Sequence, residues 1–145
     1  MNDLLARVAI LNELQVALIE PRIRQMGGSW SIFQLLSTLQ GHGKPISQAE
    51  VARRLEITPA TLCEQVAVLV RKGLIEQVPS TRDARVKNLR IQPMGKQLLQ
   101  KMVKEFVFVE KEMVKGISPR ELTLVADVLD KMIANLEPDA PSEDA

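Results

Sequence analysis

The sequence has one cysteine, Cys63, one histidine, His42, no tyrosine, and aromatic residues at only 3% of its 145 positions. A single cysteine forbids an internal disulfide and any cysteine-based metal cluster, and a single histidine argues against a His-rich metal site or a catalytic triad. A nucleophile, a base and an orienting group cannot be assembled from this inventory, so the expectation is a protein that is not an enzyme and holds no cofactor. Long apolar runs are also missing. No stretch approaches the roughly 18 to 20 uncharged apolar residues of a membrane span, and Asp3 stands where an export signal would be basic and then apolar, so a cytoplasmic protein without membrane contact is expected. What is present is a chain that is 46% hydrophobic and 26% charged. That suffices for a real core and excludes disorder for all but the ends.

The formal net charge of +1 hides a strong division along the chain. Residues 1–43 and 97–136 each balance to zero. Residues 44–96 carry Lys44, Arg53, Arg54, Arg71, Lys72, Arg82, Arg85, Lys87, Arg90 and Lys96 against Glu50, Glu56, Glu64, Glu76 and Asp83. The tail holds Glu137, Asp139, Glu143 and Asp144 with no base. A basic module inside a neutral protein is the footprint of a polyanionic partner; the plainer alternative is a solvated basic face.

Spacing and capping signals divide the chain further. Leu4, Val8, Leu11, Leu14 and Leu18 recur at helical intervals, with Leu5, Ile10, Val16 and Ile19 widening the apolar face, until Pro21 predicts an end or a kink. After Gly27-Gly28, Ser29 or Ser31 caps a second helix that turns Trp30, Phe33, Leu36 and Leu39, or their neighbours, inward and stops at Gly41-His42-Gly43; His42 reads as a loop residue rather than a ligand. Ser47 and Glu50 form a capping box for a short helix over about 48–55. Thr58 and Pro59 then open a third helix that runs to Lys72 and ends at Gly73. Two short helices joined by a tight turn make a helix-turn-helix. Residues 74–78 and 88–91 read as strands of a hairpin with the basic tip Arg82-Asp83-Ala84-Arg85-Val86-Lys87. After Pro93 a helix presents Leu98, Met102, Phe106, Val109 and Met113, and the box Ser118 to Glu121 opens a last helix whose Leu122, Val125, Leu129, Met132 and Leu136 form a seam suited to another helix. The acidic tail is expected to be disordered.

Helix, helix, helix and hairpin in this order make a winged helix-turn-helix, and the chain resembles the MarR family of bacterial transcriptional regulators over nearly its full length. The resemblance is most specific at Asp83-Ala84-Arg85-Val86-Lys87-Asn88-Leu89-Arg90-Ile91-Gln92-Pro93-Met94-Gly95, where Asp83, Arg85 and Gly95 match the family's wing without a gap. A second match runs from Ile46-Ser47-Gln48-Ala49-Glu50-Val51-Ala52 to Val70-Arg71-Lys72-Gly73-Leu74-Ile75. Three positions depart from the pattern: Ala84 replaces a basic residue, Ile91-Gln92 replaces Leu-Thr, and Glu64 stands where relatives tend to carry arginine or another polar residue. Such an acid would accept a hydrogen bond from cytosine N4, restrain an arginine by pairing, or simply reduce affinity.

The resemblance implies that the helix opened by Thr58 enters the major groove, where its first turns do the reading. Leu62, Val66, Leu69 and Val70 are expected to face the core, leaving Ala60, Thr61, Glu64, Gln65 and Val68 outward. Thr61 and Gln65 are the candidates for base edges, and Thr58 for capping and phosphate contact. Ser47 belongs to the same face. Arg85 suits the minor groove, with Asp83 orienting it or a neighbouring donor, and Arg53, Arg54, Arg82 and Lys87 are candidate phosphate contacts. Cys63 reads as small-residue packing rather than a redox switch, since oxidant-sensing relatives carry their cysteine near the first helix. Trp30, Phe33 and Phe106 are expected to wall an effector pocket, which the family places between the dimerisation region and the DNA-binding lobe.

The expected architecture is mainly α with a small β-hairpin wing. It comprises an N-terminal dimerisation helix and linker over 1–28, a winged helix-turn-helix lobe over 29–96, C-terminal dimerisation helices over 97–136, and the tail over 137–145. The dimer is expected to form through Leu4, Val8 and Leu11 with Leu122, Val125, Leu129, Met132 and Leu136, because so much apolar surface would otherwise aggregate. The expected function is a homodimeric repressor on a pseudo-palindromic duplex, with a small-molecule effector a further possibility. The alternative is a winged helix kept for protein interaction, with Glu64 and Ala84 as marks of lost DNA contact.

Overall fold

The computed structural model describes residues 3–137, and the acidic tail from residue 138 onward lies outside them. The elements in chain order are α1 (Leu4–Gln25), α2 (Trp30–His42), β1 (Ile46–Ser47), α3 (Gln48–Leu55), α4 (Pro59–Arg71), β2 (Ile75–Pro79), β3 (Lys87–Ile91), α5 (Pro93–Met113) and α6 (Pro119–Leu136). They form two compact units, one through Val109 and one from Glu110.

In the first unit α1 does not end at Pro21 but passes through it to Gln25. The lost hydrogen bond falls at the carbonyl of Ala17, an exposed residue, while Ile19 and Ile23 are buried on either side and hold the following turn in the core. Ser29, rather than Ser31, caps α2, accepting the Ile32 N–H at 3.2 Å. Leu35, Leu36 and Leu39 are the residues this helix buries, whereas Trp30 stays exposed. The short β1 was not expected. It pairs antiparallel with β3, Ile46 opposite Leu89 and Ser47 opposite Asn88, and makes the hairpin a three-stranded sheet ordered β1-β3-β2. Two residues carry too little alternation to announce a strand, and only the distant Leu89 creates it.

Between α3 and α4 the chain turns at Glu56, which takes a left-handed φ of 53°. The turn is closed by the Ile57 N–H on the Ala52 carbonyl at 3.1 Å. On α4, Leu62, Val66 and Leu69 are buried, but Val70, expected in the core, is exposed. Gly73, with φ of 71°, carries the chain from α4 into β2. Gly95 begins the burial of α5: a Cβ there would collide with the Leu74 carbonyl oxygen and crowd Ile91 Cγ1 at 2.9 Å. Leu98, Leu99, Met102 and Val109 continue that burial, so residues 97–109 share the core of the helix-turn-helix lobe. Arg22 of α1 clamps the same helix, with Nε 2.6 Å from Glu105 and the guanidinium 4.0 Å from the Phe108 ring centre.

In the second unit, Ser118 and Glu121 complete a capping box at the start of α6: the Ser118 hydroxyl accepts the Glu121 N–H and the Glu121 carboxylate accepts the Ser118 N–H at 2.8 Å. The Ser118 hydroxyl, which also donates to the Glu121 carboxylate at 2.7 Å, and then the Ser118 N–H hold that carboxyl below its ordinary range. No residue of α6 is buried.

Candidate nucleic-acid interface

Helix α4 is presented by its own first turn. The Thr58 hydroxyl accepts the Thr61 N–H at 3.1 Å and donates to the Thr61 hydroxyl at 2.9 Å, while Pro59 takes the position whose N–H would have no partner. The helix then has three faces. Leu62, Val66 and Leu69 point into the core; Cys63, Ala67 and Val70, at helical spacing, line a cleft of about 610 Å³ toward the wing; Ala60, Thr61, Glu64 and Val68 are exposed. Gln65 is half-buried.

The other wall of that cleft comes from Arg85, Val86 and Lys87. The basic wing tip therefore lies alongside α4. The tip is built by hydrogen bonds of its own: the Ser80 N–H donates to the Val86 carbonyl at 3.0 Å, the Val86 N–H to the Asp83 carbonyl at 3.0 Å, and the Arg82 N–H to the Ser80 hydroxyl at 3.2 Å. Asp83 accepts the Arg85 N–H at 3.0 Å through its carboxylate, which also stands 3.8 Å from Arg85 Nε. The Arg85 side chain remains 95% exposed. Lys87 opens β3 opposite Pro79, and Arg82 and Lys87 have no ion-pair partner among the described residues.

Ser47 caps α3, accepting the Glu50 N–H at 3.2 Å, but the expected capping box is only half made. Glu50 turns its carboxylate the other way, to Arg53 Nε at 2.8 Å and Arg54 Nε at 3.0 Å. The Arg53 guanidinium, and then that of Arg54, bring the Glu50 carboxyl down from its ordinary 4.5 to about 2. Two charge-assisted partners win over one neutral backbone N–H. Both candidate phosphate contacts on α3 are thus already engaged by an acid, a pairing that the three- and four-residue spacing of Glu50, Arg53 and Arg54 could have signalled.

A second contact had no such signal. Gln77 of β2 donates through Nε2 to Gln48 Oε1 at 3.1 Å, and Gln48 donates in turn to Cys63 Sγ at 3.1 Å. This relay ties the wing, α3 and α4 together, and Gln48 and Gln77 lie 29 residues apart. Cys63 is exposed, not packed away as expected.

Away from this surface, Trp30, Phe33 and Phe106 form one aromatic cluster, with ring centres 5.4 Å apart for Trp30 and Phe33 and 4.6 Å for Phe33 and Phe106. Trp30 and Phe106 line a cleft of about 580 Å³ with Val16, Ile19 and Ile23, and Glu20 and Arg24 pair with each other at its edge. Phe33 packs behind the two rings rather than on the wall. The expected dimer residues Leu4, Val8 and Leu11 on α1, and Val125, Leu129 and Leu136 on α6, are all exposed; Leu122 and Met132 are half-buried. Among the described residues no group of His, Cys, Asp or Glu could hold a metal ion, and no helix is long and apolar enough to cross a membrane.

A sequence profile described as the MarR family matches residues 30–86. The chain is 30% identical over 110 residues to an uncharacterized HTH-type transcriptional regulator of Bacillus subtilis, YdgJ, a match covering 76% of this chain and 66% of that protein. It thus spans just under two thirds of that curated relative's length. Among solved structures, YusO from Bacillus subtilis shares the fold with a TM-score of 0.79 at 20% identity, over 94% of this chain and 96% of that one. A Staphylococcus aureus MepR–DNA complex does so with a TM-score of 0.75 at 23% identity, over 94% and 98%. With the profile centred on the helix-turn-helix and the wing, and the same fold over almost the whole chain, this protein belongs to the MarR family.

Proposed function

We propose that the protein is a homodimeric, sequence-specific DNA-binding transcriptional regulator, acting in the cytoplasm and most simply as a repressor. The observation that carries this reading is the shared cleft, whose walls are α4 on one side and Arg85 and Lys87 on the other. A 13-residue helix with a capped, outward N-terminus is about 20 Å long and fits a major groove. A hairpin tip with an exposed guanidinium beside it suits the adjoining minor groove, whose narrow stretches concentrate negative potential. In this arrangement Thr61 and Gln65 face base edges, while Thr58, Ser47, Arg82 and Lys87 meet the backbone. Arg53 and Arg54 contribute to phosphate binding only as far as Glu50 releases them.

The dimer is supported by the exposed apolar residues of α1 and α6, since surfaces of this extent on a soluble chain call for a partner. A two-fold dimer presents two copies of α4 to half-sites about one helical turn apart. The cleft beside Trp30 and Phe106 is of a size to take a small, partly aromatic effector that would relieve repression.

The test is selection from a randomised duplex pool by the purified full chain at fixed salt. An enriched inverted repeat is expected. Retention of duplex without any enriched motif would overturn sequence-specific regulation and favour a winged helix used for protein interaction.

A further inference from the structure

Before Arg71, Glu64 is the only charged residue of α4. It stands on the outward stripe, three residues or about 4.5 Å along the axis from Thr61. It is exposed, and no ion pair or hydrogen bond engages its carboxylate among the described residues. Arg53 and Arg54 are paired with Glu50, and Arg90 with Glu76 across the β2–β3 ladder, and no arginine lies within ion-pair distance of Glu64 among the described residues. Restraint of an arginine is therefore not what this acid does in the protomer.

A free carboxylate on a helix that enters a groove between phosphates incurs repulsion, and only a contact made there offsets it. An ionised carboxylate is an acceptor only. Major-groove donors are the amino groups of cytosine N4 and adenine N6. On adenine the N7 acceptor lies beside N6 on the same edge, and its lone pair opposes the second carboxylate oxygen. Beside cytosine N4 there is only the C5–H, so the carboxylate approaches without that opposition.

We infer that Glu64 is a specificity-determining residue that accepts a hydrogen bond from the N4 amino group of one cytosine in each half-site of a duplex. The inference rests on the DNA-reading function proposed above. It also gives the interface a division of labour. The wing, with Arg82, Arg85 and Lys87, supplies attraction to the backbone. Helix α4 carries an acid and no base through its reading turns, and so supplies selection rather than affinity.

The experiment compares wild type, Glu64→Gln and Glu64→Ala, as full chains, on one randomised duplex pool at fixed salt, with affinity for random duplex measured alongside. Because Glu64 has no partner among the described residues, both variants should melt with the wild type. The wild type should enrich an inverted repeat with cytosine at one symmetric pair of positions, preferred about tenfold. Glutamine matches the donor and acceptor of adenine, so Glu64→Gln should move that pair of positions to adenine. Glu64→Ala should leave them degenerate, with the other positions unchanged. Both variants should bind random duplex more tightly. The same motif from all three proteins, or changes spread over many positions, would overturn the inference while leaving the DNA-reading function intact. No motif from the wild type would overturn that function and the inference with it.

Discussion

The Asp83 carboxylate accepts the backbone N–H of Arg85 at 3.0 Å, so the acid of the wing acts on the arginine's main chain before it acts on its charge. Its distance to Arg85 Nε, 3.8 Å between two exposed side chains, makes a weak ion pair. The turn is the stronger contribution. Asparagine keeps the side-chain acceptor and removes the charge, whereas alanine removes both. Asp83→Asn should therefore bind operator at least as well as wild type, and Asp83→Ala should bind about 1 kcal/mol less well than Asp83→Asn. Equal affinities for the two variants, measured by fluorescence anisotropy, would remove the turn from the wing's function.

Arg85→Ala probes the side chain itself. Operator binding should weaken by roughly 1 to 3 kcal/mol, and the slope of log K against log salt should flatten by about one unit per half-site. An unchanged slope would take the wing tip off the DNA.

Glu50 holds two arginines that the backbone of a duplex would otherwise attract. Glu50→Gln should tighten binding to random duplex and steepen its salt dependence by up to about two units per protomer. The same clasp has a pH signature. Because the folded-state value lies below the ordinary 4.5, the stabilisation is present above 4.5 and is lost as pH falls toward about 2. Urea midpoints recorded between pH 5 and pH 2.5 should thus fall more for wild type than for Glu50→Gln. Parallel curves would mean that the clasp contributes nothing in solution.

Gly95 is a packing requirement rather than a turn residue. Gly95→Ala has to push α5 away from the Leu74 carbonyl, which also accepts the Gln92 N–H at 2.9 Å. A loss of roughly 1 to 3 kcal/mol in chemical unfolding is expected. A variant as stable as wild type would show that β3 and α5 adjust freely.

Val125→Glu combined with Leu129→Glu tests the apolar face of α6. Sedimentation equilibrium should report a monomer, or the chain should become insoluble. A dimer of unchanged mass would place the interface elsewhere.

Helix ends were the most legible part of this chain in its sequence. Ser29, Ser47, Thr58 and Ser118 each satisfy an N–H three residues away, an interaction that a stretch of four residues specifies by itself. The basic excess of residues 44–96 and the order of helix-turn-helix and hairpin were legible for the same local reason. The tertiary structure decided whatever depended on competition between near and distant partners. Pro21 lies within a helix because Ile19 and Ile23 are buried around it. β1 exists because Leu89 is opposite Ile46. Val70 is outside the core because α4 turns that face toward the wing, and the aromatic cluster joins Phe106 to residues more than seventy positions earlier. Glu50 shows the division within one side chain: its N–H follows the capping rule, and its carboxylate goes to the guanidinium groups, because an ionised acceptor gains more from two charged donors than from one amide.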